Sequence, residues 1–279
     1  MIHGERRVRN VGALEVISRG PAGQAHGAPL LFVHGAYAGA WCWDEHFLAW
    51  FAERGYAAHA LSLRGHGGSS GHAHLDTASL DDYVADVLAV TATLDAPPVL
   101  IGHSMGGIIV QRCARAGAGC ALGLLASVPP EGLAGSAWRL TLQDPALFGE
   151  MARVQNGAPG AATASGLQRA LFSAGLPPDR LEGYLARLQP ESQRALFDLM
   201  WPQHFAIAPR GRLPVLVLGA ADDAFFPPSM IESAARWHGV DARMVPGLGH
   251  AVMLELEWAL AAAAVSDWLE GLFGAAKPA

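Results

Sequence analysis

Apolar positions along the chain keep two periods and switch between them several times. Residues 8–11 and 14–17, separated by Gly12-Ala13, predict a short β-hairpin. Leu30-Leu31-Phe32-Val33 does not alternate, and an unbroken apolar run of that length reads as a strand buried on both faces. Residues 41–51 are aromatic with helical spacing, Gly55 stops them, and 56–61 read as the next strand. A glycine-rich loop covers 64–70. The next helix is predicted over 79–93, opened by Ser79-Leu80-Asp81-Asp82, a capping box with Asp in the place of Glu. Val84, Val87, Leu88 and Thr91 are expected to share one face of it. After Pro97-Pro98, Val99-Leu100-Ile101 is a further buried strand, a helix is predicted to run on to about 116, and 122–126 form another strand closed by Pro129-Pro130.

Strand and helix in this rhythm mean βαβ units, so the expected fold class is α/β, a mostly parallel central sheet flanked by helices. The rhythm breaks at Glu131. Residues 131–212 carry helical patterns at 138–148, 181–188 and 192–201 and no strand. It resumes with a strand at 215–218, a helix at 229–237, a strand at 242–245 and a helix at 257–273. The expected organisation is a core domain of residues 1–130 and 213–279 with a helical insertion at 131–212.

Composition narrows the function classes. A chain of 279 residues with 51% hydrophobic and 16% charged residues is not disordered. Its net charge of −6 gives no electrostatic reason to expect nucleic acid or an anionic membrane as partner. The N-terminal residues lack the apolar core of a signal peptide, and no apolar run is long enough for a membrane span. Cys42, Cys113 and Cys120, with no C-x-x-C spacing, suggest reduced thiols and a cytoplasmic protein. A homodimer is compatible with all of this.

The chemistry centres on Gly102-His103-Ser104-Met105-Gly106, between a buried strand and a helix. A strand that turns abruptly into a helix leaves no room for side chains two places either side of the corner, and it holds the serine hydroxyl out at the tip. A serine needs a base, and the base needs an acid to fix its tautomer. In a parallel α/β sheet such groups belong on loops after strand C-termini. Of the histidines only His34, His66, His103 and His250 lie in loops of that kind, and His103 is expected to point to the other side of the turn. His250, in Pro246-Gly247-Leu248-Gly249-His250 after the last strand, is the expected base. The acid should follow the preceding strand, where spacing leaves Asp222 and Asp223 both open. His66, His72 and His74 have no carboxylate spacing that suggests a metal, and the chemistry needs neither metal nor organic cofactor.

Taken together, His34-Gly35, the Gly102–Gly106 turn, the aspartate turn after 215–218 and Gly249-His250 resemble the α/β-hydrolase fold superfamily, in its lysophospholipase-like or esterase-like group with a helical cap. The resemblance covers nearly the whole chain, the cap least. It implies a Ser-His-Asp triad of Ser104, His250 and Asp223, the last preferred because it stands four residues before Pro227. It also implies an oxyanion hole from the backbone N–H groups of Met105 and of Ala36 or Tyr37. The implied activity is a carboxylic ester hydrolase acting on a small to medium apolar or aromatic ester or lactone. Tyr37, Trp138, Trp201 and His204 are the expected substrate contacts, and Trp41, Trp43, Phe148, Phe172, Phe197 and Phe205 are further candidates for an apolar pocket.

Residues 34–43 also resemble the plant methyl esterase and hydroxynitrile lyase branch. The lyase relies on a lysine after the catalytic histidine, and Ala251 stands there. Haloalkane dehalogenases use an aspartate nucleophile where this chain has Ser104. A C–C bond hydrolase, a thioesterase or a cofactor-free haloperoxidase would share the triad, and a non-catalytic small-ligand receptor on the same scaffold is the alternative from another class.

Overall fold

The computed structural model of the chain describes residues 4–23, 25, 27–157, 162–207 and 211–274. Eight strands form one sheet: β1 (Arg6–Val11), β2 (Leu14–Arg19), β3 (Leu30–Val33), β4 (Ala58–Leu61), β5 (Val99–His103), β6 (Ala121–Leu125), β7 (Val215–Ala220) and β8 (Ala242–Val245). Their spatial order is β1-β2-β4-β3-β5-β6-β7-β8. The first hairpin and its pairing to β4 are antiparallel, and from β4 to β8 every neighbouring pair is parallel.

Helices cover both faces, which is why the central strands are apolar without alternation. After β3 come α1 (Trp41–Asp44) and α2 (Phe47–Glu53), after β4 comes α3 (Leu80–Thr91), and after β5 comes α4 (Met105–Arg115). Between β6 and β7 lie α5 (Ala134–Gln143), α6 (Pro145–Gly157), α7 (Ala164–Leu171), α8 (Pro178–Leu185) and α9 (Gln193–Leu199), with no strand among the described residues there. α10 (Pro228–His238) follows β7 and α11 (Trp258–Phe273) follows β8. Side chains of β3 divide between two cores: Leu30 and Phe32 pack with Trp43, Phe47, Phe51 and Val265, while Leu31 and Val33 pack with Tyr83, Ile108, Val110 and Ile231.

Local structure departs from the sequence pattern at four places. The expected helix at 41–51 is two helices, because the chain steps at His46 (φ −140°), whose ring stacks on Trp258 at 4.6 Å. The expected helix at 138–148 breaks at Asp144 (φ −144°, ψ 74°). Pro145 clashes with a helical conformation of the residue before it, and the Asp144 carboxylate instead accepts from the N–H of Leu147 at 2.9 Å. The sequence pattern did not single out α7, which is capped by Thr163 accepting from Gly166 N at 3.0 Å. In α3 the capping box is formed, with Asp82 N–Ser79 Oγ at 3.1 Å and Ser79 N–Asp82 Oδ2 at 2.9 Å. Its buried stripe is Leu80, Tyr83, Val87 and Val90, and Val84 and Leu88 flank it. No helix among the described residues is long and apolar enough to cross a membrane.

Candidate active site

Ser104 alone makes the turn between β5 and α4. Its φ of 51° and ψ of −117° lie where a side chain is strained, a cost of about 1–3 kcal/mol. The two flanking glycines answer to close backbone approach. A Cβ on Gly102 would lie 2.3 Å from the Gly106 carbonyl oxygen, and one on Gly106 would lie 2.4 Å from that of Val33. The strained corner is braced by its own carbonyl, which accepts from Gly107 N at 3.0 Å and Val128 N at 3.1 Å.

His250, on the loop after β8, reaches this serine. Its Nε2 is 3.0 Å from Ser104 Oγ and its Nδ1 is 2.8 Å from Asp223 Oδ2. The second oxygen of Asp223 accepts from the N–H groups of Phe225 at 2.7 Å and Phe226 at 3.1 Å, which aims the carboxylate. Asp223 is buried, whereas Asp222 is exposed and donates its backbone N–H to the Leu248 carbonyl. The pair left open by spacing is thus separated by geometry, and Asp223 is the one brought to the imidazole. His103 does not point away from His250 as expected: the two ring centroids are 4.8 Å apart, and its Nε2–H donates to the backbone carbonyl of His250 at 2.9 Å.

The loop carrying His250 has a second anchor that no motif flagged. Glu255 is fully buried and accepts from Gly249 N at 2.6 Å, Ser173 N at 2.5 Å and Ser173 Oγ at 2.9 Å. It therefore ties the histidine loop to the residues after α7. The available signal was a carboxylate inside the run Ala251-Val252-Met253-Leu254-Glu255, since a charge is buried only when bonded.

Two backbone N–H groups border the serine. Met105 opens α4, so its N–H has no helical carbonyl to bond. The turn after β3 presses against the serine, because a Cβ on Gly35 would lie 3.0 Å from the Ser104 Cβ. This turn carries Ala36 and Tyr37, and both line the same cavity as Ser104. The N–H of Tyr37 donates to Glu191 Oε2 at 3.3 Å. Of the two donors weighed from sequence on this turn, Tyr37 N–H is thus already bonded.

The other loop histidines have distinct protonation states. His34 donates from Nδ1 to the Gly35 carbonyl and accepts at Nε2 from Leu63 N, so it is neutral. Burial and the neighbouring His66 bring it down to about 3. His66 faces acceptors at both nitrogens, the Arg64 carbonyl and Glu191 Oε2. Burial pulls its pKa down, but the charge and hydrogen bond of Glu191 outweigh burial and hold it above the ordinary value. His103 is held well below the usual range by burial and by His250 beside it. Burial also brings His59 and His238 to about 4.

These shifts set a stability profile. His34, His59, His103 and His238 are neutral when folded but take a proton near pH 6.5 when unfolded, so their contribution is lost as pH falls below 6.5. His66 has the opposite sign: its contribution is present below 6.5 and lost as pH rises through its raised folded value. Burial also lowers half-buried His46, so with five groups against one, unfolding free energy is expected to fall from pH 7 to pH 5, by about 1–2 kcal/mol per deeply buried neutral histidine. Urea denaturation at those pH values measures it, and a flat or rising profile towards pH 5 would contradict these protonation states.

Above Ser104 lies a cavity of about 250 Å³. Leu133, Ser136, Ala137 and Leu140 of α5 and its N-terminal flank face it at helical spacing, joined by Met151, Leu171, Leu185, Met200, Phe225 and Met253. No Asp, Glu, Lys or Arg stands among its described lining residues. Of the expected contacts Tyr37 lines the cavity, as do Trp41, Phe148 and Phe172. Burial and the nearby Glu191 raise the Tyr37 phenol well above its usual range, so it stays a neutral hydroxyl.

Trp138, Trp201 and His204 are corrections. Trp138 is 67% exposed because α5 turns Ala137 and Leu140 inward instead. Trp201 is 59% exposed and packs edge-on to Phe197, while its neighbour Met200 takes the wall. His204 stands outside the cavity, 4.5 Å from the Trp237 ring and 3.9 Å from Glu131. Phe197 and Phe205 are exposed, and Trp43 is fully buried in the core beneath. Aromatic residues marked part of the wall, at Tyr37, Trp41, Phe148 and Phe172, and missed the face that α5 presents. The spacing of 133, 136, 137 and 140 was the signal that could have found it.

Comparison with known proteins adds family context. A model of the alpha/beta hydrolase family matches residues 30–265. A pyrethroid hydrolase of Sphingobium wenxiniae is 30% identical over 86 residues, which are 31% of this chain, and the match spans 30% of that enzyme's length. A thermophilic esterase from Thermogutta terrifontis superposes with a TM-score of 0.71 at 20% identity, covering 96% of this chain and 99% of the other. A bromoperoxidase from Bacillus anthracis gives 0.70 at 17% identity, covering 95% and 100%. At those identities the two structures share the fold.

Proposed function

The chain belongs to the alpha/beta hydrolase family, and from the site it builds on that scaffold we propose that it is a serine hydrolase of neutral, apolar carboxylic esters or lactones. The observation that carries the reading is the chain of contacts Asp223 Oδ2–His250 Nδ1 at 2.8 Å and His250 Nε2–Ser104 Oγ at 3.0 Å, opening into a cavity whose described lining residues include no Asp, Glu, Lys or Arg. In this mechanism His250 Nε2 takes the proton of Ser104 as Oγ attacks the ester carbonyl. Asp223 accepts from His250 Nδ1–H, fixes the tautomer and stabilises the imidazolium. The N–H groups of Met105 and Ala36 hold the oxyanion, which carries full charge only in the tetrahedral state. Collapse expels the alkoxide with the proton returned from His250. Water, deprotonated by the same imidazole, then releases the acid and regenerates the serine. The helices between β6 and β7 act as a cap over the serine, and Tyr37 contributes a neutral hydroxyl to the substrate wall.

The uncharged lining favours an oxyester over substrates that place an ionised group inside the cavity, because an unpaired charge there is costly. A panel of p-nitrophenyl esters tests the reading. kcat/KM is expected to rise about fourfold per methylene from acetate to butyrate, which is the transfer free energy of one buried CH₂. Hydrolysis of an ester whose acyl chain ends in a carboxylate is expected to be slower than that of its neutral isostere. No hydrolysis across the panel, or preference for the charged acyl chain, would refute it.

A further inference from the structure

One buried carboxylate stands outside the triad and beside the oxyanion turn. The side chain of Glu191, like that of His66, is fully buried. Its Oε1 accepts from the Tyr83 hydroxyl at 2.6 Å and Ser192 N at 2.7 Å, and its Oε2 accepts from His66 Nε2 at 3.1 Å and Tyr37 N at 3.3 Å. Four donors converge on one side chain, and only an ionised carboxylate offers acceptors to all of them. Tyr37 has φ of 66°, a strained value for a residue with a side chain, so something must hold it. Its N–H is held by Glu191 and its carbonyl accepts from Gln189 N at 3.0 Å. The side chain of Gln189 in turn accepts from Gly67 N and donates to the Gly65 carbonyl, both at 2.8 Å. Residues 189–191 thus fasten two loops of the sheet from the segment between β6 and β7.

We propose that Glu191 is a positioning residue for ester hydrolysis: by holding the Tyr37 peptide, its carboxylate fixes the adjoining Ala36 peptide and aims the Ala36 N–H at the oxyanion. This rests on the reading of Ser104 as the nucleophile. His66, donating from both nitrogens, neutralises the carboxylate, so the site gains a rigid anchor without a net negative charge next to the developing oxyanion. In Glu191→Gln one acceptor becomes an N–H facing donors on its side, and the charge opposite His66 is lost, so the clamp on the Tyr37 peptide loosens.

The test is Glu191→Gln in the full chain, with p-nitrophenyl butyrate as substrate and phenylboronic acid as a probe of the tetrahedral adduct. An oxyanion donor acts on the transition state, so kcat is expected to fall about 10- to 100-fold with KM within about threefold of wild type. Inhibition by phenylboronic acid should weaken by a comparable factor. A purely structural role would lower the active fraction, measured by titration with a fluorophosphonate, and leave kcat per labelled site unchanged; that result overturns the proposal. If Glu191→Gln does not fold, Tyr83→Phe removes one bond to the same carboxylate without touching Tyr37. It is expected to lower kcat per site about threefold at unchanged KM, and an unchanged kcat overturns the proposal. A wild-type protein that neither hydrolyses the ester nor takes the fluorophosphonate refutes the nucleophile reading itself, whereas an active wild type with an unchanged variant refutes only the role of Glu191.

Discussion

Ser104→Ala is expected to lower kcat for p-nitrophenyl butyrate by about 10⁵- to 10⁶-fold, with the far-UV circular dichroism of the wild type retained. The size follows from the geometry. In the proposed mechanism the hydroxyl 3.0 Å from His250 Nε2 is the group that forms the acyl-enzyme, and nothing else on the turn can replace it. What survives in such variants is the contribution of oxyanion donors and binding alone, about 10³-fold over water. The fold should survive because the corner is shaped by contacts that alanine keeps. Those are the packing at Gly102 and Gly106 and the bonds to the Ser104 carbonyl from Gly107 and Val128. Alanine inherits the same strained φ and neither relieves nor adds to it. Activity within tenfold of wild type would end the acyl-enzyme mechanism.

Asp223→Asn is expected to cost about 10⁴-fold in kcat, and Asp222→Asn less than about threefold. Asp223 Oδ2 accepts from His250 Nδ1, and its other oxygen is occupied by Phe225 N and Phe226 N. Because both backbone donors require an oxygen at Oδ1, the amide group of an asparagine is forced towards His250. It then donates to Nδ1, drives the proton to Nε2, and leaves the imidazole unable to accept from Ser104. Asp222 is exposed and touches the site through its backbone alone, which asparagine preserves. Steady-state kinetics on the two variants decide it. A larger loss in Asp222→Asn would move the acid by one residue, and equal small losses would remove the aspartate from the mechanism.

Buried carboxylates have a wider part in this molecule than the proposed triad implies. Glu191 and Glu255 each join residues between β6 and β7 to a loop that borders Ser104: Glu191 to the Ala36-Tyr37 turn, and Glu255 to the Gly249-His250 turn. The helical segment is therefore bonded to the two loops on which the proposed chemistry depends, at Tyr37 and at Gly249. Neither carboxylate stands among the described residues that line the cavity, and each spends its acceptors on backbone and side-chain donors.

How much of this could be read from the chain depends on the range of the interaction concerned. The parallel sheet was legible because a strand covered on both faces must be apolar throughout, as Leu30–Val33 and Val99-Leu100-Ile101 are. The serine turn was legible because its glycines stand two residues either side of the corner, and the capping box of α3 because its partners are three residues apart. Break points such as Asp144-Pro145 were equally local and went unread, since helical periodicity on both sides masked them. Which aspartate meets His250, which face of α5 looks into the cavity, and where Glu191 and Glu255 place their oxygens were decided only by the tertiary structure. Asp222 and Asp223 differ by one step of chain and by the whole difference between solvent and core. Trp138 and Leu140 are two residues apart on a helix, about 200° around its axis, and a choice between them requires knowing where the sheet lies. Glu191 lies 154 residues from Tyr37 and 125 from His66, and no local pattern encodes a hydrogen bond over that separation. Short-range sterics and hydrophobic period thus established the scaffold and the serine turn, while long-range packing determined the arrangement of the polar groups around it.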